Sequence, residues 1–257
     1  MTVRPALADE YGGCDNLCEH HLGSSNVASR LAVHDIQKLI RNCPHLHRRE
    51  TEISAATSIS VLGRRDEDQS CLHRTEDSLL EFLRETVKPD HQTIETGCGL
   101  STIVFSVLAR HHVCITPNRE ETDLMLGYLA QNGIDTRKLR VITEDSADAL
   151  PSVKDRFQVG LVDGKHAYPW PIIDWFYISD RLLPDGVMVL DDLGLEHIGR
   201  LDGFLRDDAN WRAAARGRRW AAHRKVGDVR HSVWHLQPLR KSPRQIAREL
   251  ARRLIGR

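Results

Sequence analysis

The segment Gln92–Ala109 reads QTIETGCGLSTIVFSVLA. Its β-branched beginning predicts a buried strand, and the apolar residues after the turn predict a helix. Two glycines one residue apart, Gly97 and Gly99, allow a tight turn and a close approach of a ligand to the backbone. Glu95, just before the turn, adds a negative charge that suits an ammonium group better than a pyrophosphate. A strand that turns through glycine into a helix is typical of the ligand-binding edge of an α/β sheet.

The alternation of strand and helix patterns continues along the chain. Apolar runs predict further strands at HHVCIT, LRVIT, FQVGLVD and VMVLDD, with helical patterns between them. Near-continuous apolar strands are typical of a parallel sheet that is covered on both faces. RRWAAHRKVG and RHSVWHLQP are expected to pair antiparallel at one edge. The predicted fold class is therefore α/β, a Rossmann-like doubly wound and mostly parallel sheet with an antiparallel edge.

Three regions are predicted. Residues 1–74 form an N-terminal extension or cap of helix and coil, and residues 75–240 form the Rossmann-like domain, whose first helix Thr75 is expected to cap. Residues 241–257 carry an apolar stripe surrounded by arginines, which predicts a basic amphipathic helix. We expect this helix to dock on the acidic body or on a second subunit, as in a homo-oligomer, in preference to an anionic membrane.

Composition sets further limits. The net charge is zero, but the charges are unevenly distributed along the chain. Residues 200–257 contain 16 of the 36 Lys and Arg and only 5 of the 36 Asp and Glu, so the end of the chain is basic and the rest is acidic. The sequence shows neither a long apolar run nor a secretory h-region, so we expect a cytoplasmic protein. The six cysteines are irregularly spaced, which favours reduced thiols. The cysteines and histidines of CDNLCEHH and CPHLH (Cys14, Cys18, His20, His21, Cys43, His45, His47) fit no strong zinc pattern, and coil is the better interpretation.

Several acids follow predicted strands. Asp163 ends the fourth strand, and Asp191 and Asp192 end the fifth. Carboxyl ends of parallel strands share one edge, so these three carboxylates are expected above the glycine loop. Three converging carboxylates suit Mg²⁺ or another hard divalent cation, although helix capping or arginine pairing is the alternative. The glycine pattern is G-x-G-x-S with no acid ending the second strand, which argues against NAD.

These motifs resemble class I S-adenosylmethionine-dependent methyltransferases. IETGCGLST is similar to their first glycine motif, and VITEDSADAL is similar to the motif that faces the adenine. The D-G-x-H-x-Y that begins at Asp163 resembles a subgroup that includes macrolide-sugar O-methyltransferases, and the acids resemble the metal ligands of catechol-type enzymes. The resemblance implies S-adenosylmethionine contacts from Glu95, Gly97, Cys98, Gly99, Ser101, Asn118, Asp145 and Ser146, and implies Mg²⁺ ligands at Asp163, Asp191 and Asp192.

The implied reaction is methylation of an oxygen on a small hydroxylated metabolite or sugar. His166 is the candidate general base, with Asp163 as the second catalytic residue, although a purely structural hydrogen bond from His166 is the alternative. We expect a small-molecule acceptor as the partner and no nucleic acid. Two other functions stay open: a metal-dependent hydroxylase-like reaction on the same fold, and a non-catalytic binding protein. Binding of S-adenosylmethionine separates the last of these from a methyltransferase.

Overall fold

The computed structural model describes residues 33–43, residues 75–226 and Pro238. Three predictions lie outside the described residues: the six candidate zinc ligands other than Cys43, the strand expected at RHSVWHLQP apart from Pro238, and the basic helix predicted for 241–257. Cys43, Cys98 and Cys114 are buried and form no disulfide. Within the described residues, no helix is long and apolar enough to cross a membrane.

Strands and helices alternate along the described chain. The strands are β1 (Gln92–Thr96), β2 (His111–Ile115), β3 (Leu139–Ile142), β4 (Phe157–Val162), β5 (Leu182–Leu190), β6 (Trp211–Arg216) and β7 (Ala221–Lys225). The α-helices are α1 (Val33–Arg41), α2 (Asp77–Thr86), α3 (Leu100–Leu108), α4 (Arg119–Gln131), α5 (Ser146–Ala149), α6 (Trp170–Arg181) and α7 (Glu196–Asp207).

The strands form one seven-stranded sheet in the order β3-β2-β1-β4-β5-β7-β6. Strands β1 to β5 are parallel, and β7 runs antiparallel to both of its neighbours. The predicted fold class is confirmed. Strand β1 lies between β2 and β4, so the chain order reverses at β1, and the crevice outside such a reversal is where ligands bind in open α/β sheets.

The strand registers align the ends of the central strands. Thr96 of β1 pairs with Ile115 of β2 and with Val162 of β4, and Val162 pairs in turn with Leu190 of β5. The loops that follow these four strands therefore leave the sheet along one edge. This alignment brings together residues that are far apart in the sequence.

Helices cover both faces of the sheet. On one face α1 to α4 bury side chains such as Leu79, Phe105 and Leu129, and on the other α6 and α7 bury Ile178 and Leu205. Helix α1 comes from the predicted N-terminal extension and belongs to the first of these cores. Its docking is fixed by a hydrogen bond of 2.6 Å from the Tyr128 hydroxyl to the Leu39 carbonyl.

Two local predictions are corrected. Helix α2 takes its N-cap from Glu76 and not from Thr75, which is buried. Strand β5 already begins at Leu182, although Pro184 and Gly186 had predicted that a helix ends there. The pairing of β4 with β5 is irregular between Phe157 and Val159, and this irregularity accommodates a proline in the strand.

Candidate functional site

Two loops meet at the carboxyl edge of the sheet, and glycine is required in each. Gly97 follows β1 with φ of 89°, and a Cβ there would lie 2.3 Å from the Asp163 carbonyl oxygen. Gly164 follows β4, and a Cβ there would lie 2.9 Å from the Cβ of Thr96. The β1–α3 and β4–α6 loops therefore pack so closely that neither position accepts a side chain without displacing the other loop.

Glu95 lies beneath the glycine loop rather than beside a ligand. Its carboxylate is 1% exposed and accepts hydrogen bonds of 2.5 Å from the hydroxyls of Ser101 and Thr102. The His112 Nε2 lies 3.0 Å from the same carboxylate. Thr102 also accepts a hydrogen bond from the Gly99 backbone N–H at 3.0 Å. This network fixes the start of α3, so the structure gives Glu95 and Ser101 a positioning role in place of the predicted cofactor contact.

A cavity of about 290 Å³ opens above the glycine loop. Its lining includes eight of the predicted site residues: Gly97, Cys98, Asp145, Ser146, Asp163, His166, Asp191 and Asp192. Four others do not line it: Glu95, Gly99, Ser101 and Asn118. Gly99 also differs from Gly97 in that its position does not require glycine, since its φ of −164° suits any residue and a Cβ there would meet no atom within 4 Å.

The end of β2 differs from the prediction. Asn118 caps α4 by accepting a hydrogen bond of 3.1 Å from the Glu121 backbone N–H, and this occupies the amide that was expected to face a cofactor. The acid that lines the cavity at this strand end is Glu121 itself. Sequence reasoning missed Glu121 because it lies inside the first turn of a helix rather than at the strand tip.

Asp145 stands at the cavity wall after β3. Its Oδ1 caps α5 through the Ala147 backbone N–H at 3.1 Å and accepts a 2.6 Å hydrogen bond from the Trp170 indole. The Lys165 ammonium lies 3.5 Å from Oδ2 and 3.5 Å from the centre of the Trp170 ring. The Trp170 hydrogen bond is the main cause that lowers the Asp145 pKa, so this carboxylate is held in its charged form.

Three ligand-type side chains of the cavity lining converge on one another. One ligand atom from each of Asp163, His166 and Asp192 lies within 4.8 Å of the other two. The His166 Nε2 is 3.3 Å from the Asp192 Oδ2. The strand-tip argument therefore located Asp163 and Asp192 at one place, and the structure adds His166 to them.

Asp191 is not in this group, although it was predicted as a ligand. It is 3% exposed, and its Oδ1 accepts a hydrogen bond of 2.9 Å from the Asp192 backbone N–H. Burial, followed by the charge of Asp192, raises the Asp191 pKa to about 7. The backbone at this point is unusual, because Asp192 adopts φ of 57°, in the left-handed region.

With this geometry in place, comparisons identify the class of the domain. Residues 94–193 match the family model described as a methyltransferase domain. The prediction of a methyltransferase enzyme is thereby confirmed. Among curated proteins, no sequence match to the chain is found.

Solved structures share the fold at low sequence identity. Rv0187 from MTB, described as cofactor-bound, is 14% identical with a TM-score of 0.53, over 68% of this chain and 97% of that one. A candidate caffeoyl-CoA O-methyltransferase from Staphylococcus aureus is 15% identical with a TM-score of 0.48, over 75% and 99% of the two chains. SMU.1697c from Streptococcus mutans, a candidate methyltransferase in complex with SAH, is 13% identical with a TM-score of 0.49, over 60% and 98%.

Proposed function

We propose that the protein transfers a methyl group from S-adenosylmethionine to a hydroxyl oxygen of a small acceptor, assisted by a divalent cation. The observation that carries the proposal is the convergence of Asp163, His166 and Asp192 over the same cavity that the glycine loop lines. The methyltransferase domain over residues 94–193 supports the reaction class.

The cavity has the features that S-adenosylmethionine requires. The backbone of Gly97 and Cys98 borders it without side-chain obstruction from the glycine, so a ligand can approach the peptide groups closely. In this proposal Glu121, which lines the cavity at the end of β2, accepts hydrogen bonds from ribose hydroxyls, and Asp145 after β3 accepts one from the adenine amine.

The donor set of Asp163, His166 and Asp192 fits Mg²⁺. Mg²⁺ prefers oxygen ligands, keeps several waters and is usually held by one or two carboxylates, which Asp163 and Asp192 supply. A bound cation would lower the pKa of an acceptor hydroxyl and neutralise the charge that develops on its oxygen. This assignment leaves the His166 imidazole outside the oxygen ligands.

His166 then serves as the general base. Bound S-adenosylmethionine would supply the methyl group from its sulfonium, and the His166 Nε2 would accept the proton that the acceptor hydroxyl loses. The imidazolium that results is stabilised by the Asp192 carboxylate 3.3 Å away. The side chains thus orient the acceptor and accept its proton, and the methyl group comes from the sulfonium.

Calorimetry separates the parts of this proposal. We expect wild-type protein to bind S-adenosylmethionine and Mg²⁺, and Asp163→Asn and Asp192→Asn to lose Mg²⁺ affinity while S-adenosylmethionine still binds. His166→Ala should retain both affinities, because it removes the base and not an oxygen ligand. Asp148→Asn, at an exposed aspartate outside the cavity, is the matched control.

Each outcome decides one part. Absence of S-adenosylmethionine binding in the wild type would refute the cofactor, and Mg²⁺ affinity that survives Asp163→Asn would refute the metal ligands. If His166→Ala abolishes Mg²⁺ binding, the histidine is a ligand and another group is the base. With an acceptor in hand, His166→Ala should lower turnover by about 10²-fold or more.

A further inference from the structure

A second cavity, larger than the first, lies between α6 and α7. Its volume is about 630 Å³, within the range of ~300–1,000 Å³ that is usual for small-molecule sites. Its walls are mainly aromatic and aliphatic, and we call it the α6–α7 groove. The apolar wall residues are Tyr168, Ile172, Trp175, Leu201, Phe204 and Pro238.

Two ring pairs span the α6–α7 groove. Tyr168 and His197 meet edge to face at 6.2 Å where the two helices begin, and Trp175 meets Phe204 edge to face at 5.5 Å further along. On α7 the rings of His197 and Phe204 are separated by about two turns, or ~10 Å, and Tyr168 lies just before α6, which carries Trp175. The groove therefore has aromatic rings at two positions along its length. Such walls favour a ligand with a flat ring system, which can stack on these rings or contact them edge to face.

His197 supplies a polar group inside these apolar walls. Its Nε2 is buried and has no hydrogen-bond partner in the part of the chain that the structure describes. A buried polar atom without a partner costs free energy unless a ligand or a water completes it. Tyr168 beside it is 70% exposed, which is high for a large aromatic side chain. Both features lie at the end of the groove where the helices begin.

That end adjoins the candidate active site through two short connections. Tyr168 follows His166 by two positions, and His197 follows Asp192 by five. The loops that carry the base and a metal ligand therefore continue directly into the two walls of the groove. The first cavity, at about 290 Å³, is at the lower end of the small-molecule range, so a bound cofactor leaves little space there for an acceptor.

We infer that the α6–α7 groove binds the acceptor's body, and that this body is a flat apolar ring system whose hydroxyl points toward His166. The inference rests on the proposed function for the identity of the ligand as acceptor. The ring system lies between Ile172 and Leu201, and His197 borders it at the near end. A purely polar acceptor such as a free sugar would leave the aromatic walls exposed to water.

Gly203 allows a specific test. It lines the groove on α7, and a Cβ there would meet only the Arg206 guanidinium at 3.7 Å, an ordinary contact. Gly203→Leu therefore adds an apolar side chain to the groove wall at a position that accommodates a Cβ. The matched control is Gly127→Leu on α4, another helical glycine whose Cβ would meet no atom within 4 Å and which lies outside both cavities.

The probe is 2,3-dihydroxynaphthalene, titrated into full-length protein with ¹³C-labelled isoleucine and leucine methyl groups. We expect saturable shifts of the Ile172 and Leu201 resonances in the wild type and in Gly127→Leu, and at least tenfold weaker binding in Gly203→Leu. Methyl α-glucoside, a hydroxylated probe without an apolar ring face, should leave these resonances unchanged.

Three results would overturn the inference: no shift at Ile172 and Leu201 in the wild type, equal affinity in Gly203→Leu, or equal shifts with the glucoside. The methyl readout requires neither cofactor nor turnover. Calorimetry of S-adenosylmethionine on the same samples therefore reports separately on the proposed function, and Gly203→Leu should keep wild-type cofactor affinity.

Discussion

Asp174 of α6 is fully buried, and replacing it with asparagine should make the protein more stable at neutral pH. Neither carboxyl oxygen has a hydrogen-bond partner of good geometry within the described residues. Burial raises the Asp174 pKa from its ordinary value of 3.8 to about 6. The nearby hydroxyls of Ser146 and Thr96 oppose this rise, and the charge of Asp145 adds to it. A carboxylate in this position therefore costs stability once it is ionised.

The magnitude follows from linkage between protonation and folding. A pKa that rises from 3.8 to about 6 corresponds to at most about 3 kcal/mol, at 1.36 kcal/mol for each pKa unit. The folded protein holds this proton more tightly than the unfolded chain does, so the stabilising contribution is complete below pH ~4. It is lost as the pH rises through about 6. The asparagine of the Asp174→Asn variant does not ionise. The free energy of unfolding of this variant therefore does not decrease through ionisation at position 174 as the pH rises.

Urea unfolding followed by circular dichroism tests the prediction between pH 4 and pH 7.5. The free energy of unfolding of Asp174→Asn minus that of the wild type should increase by up to about 3 kcal/mol between pH 4 and pH 7.5. For a denaturant slope of ~3 kcal/mol/M, this increase corresponds to a shift of about 1 M in the urea midpoint. Any effect of the asparagine amide on the free energy of unfolding that does not depend on pH cancels when this difference is compared between pH values. Asp123→Asn, at an exposed aspartate of α4, should follow the wild-type pH dependence. A difference that stays constant within ~0.5 kcal/mol would refute the reasoning.

Three further predictions concern other positions. Gly97→Ala should lower the free energy of unfolding by about 1–3 kcal/mol or more in urea unfolding, because φ of 89° is strained for alanine. Gly99→Ala, at φ of −164°, should leave both stability and S-adenosylmethionine affinity near the wild-type values. Glu121→Gln should weaken S-adenosylmethionine binding about tenfold in calorimetry through loss of a charge-assisted hydrogen bond, and unchanged affinity would remove Glu121 from the site. Gly217→Ala would place a Cβ 2.0 Å from the Trp220 Nε1, so the buried indole must move; we expect a loss of about 1–3 kcal/mol, and a wild-type urea midpoint would contradict this.

Strand patterns predicted most of the sheet because the central strands are buried on both faces. Strand β1 was predicted with the bounds that the structure has, and β2 to β4 to within one residue at their ends. Strand β6 was missed because its sequence, WRAAAR, contains no β-branched residue and lies on the exposed edge of the sheet. Its pairing depends on β7 rather than on its own sequence preference, so single-sequence reasoning had no signal for it.

The candidate site was predictable where it depends on topology and unpredictable where it depends on side-chain direction. Asp163 and Asp192 were located together because parallel strands end at one edge. The inward direction of Glu95 follows from hydroxyls on α3 and a histidine on β2, which are distant partners that the motif itself does not specify. Glu121 was missed for the same reason, since its exposure to the cavity depends on how α4 follows β2.

The choice between Asp191 and Asp192 illustrates the limit most directly. The sequence DD after a buried strand offers two equivalent carboxylates, and an extended chain would send them to opposite sides. The structure places Asp192 at φ of 57°, in the left-handed region that aspartate tolerates better than most residues. In this conformation the Asp192 Oδ2 lies 3.3 Å from the His166 Nε2, whereas Asp191 is buried and its Oδ1 accepts a hydrogen bond from the Asp192 backbone N–H. Uncommon backbone conformations persist only where the surrounding packing holds them, and they cluster at functional sites. The left-handed conformation of Asp192, where three ligand-type side chains meet, therefore agrees with a functional role for this cluster.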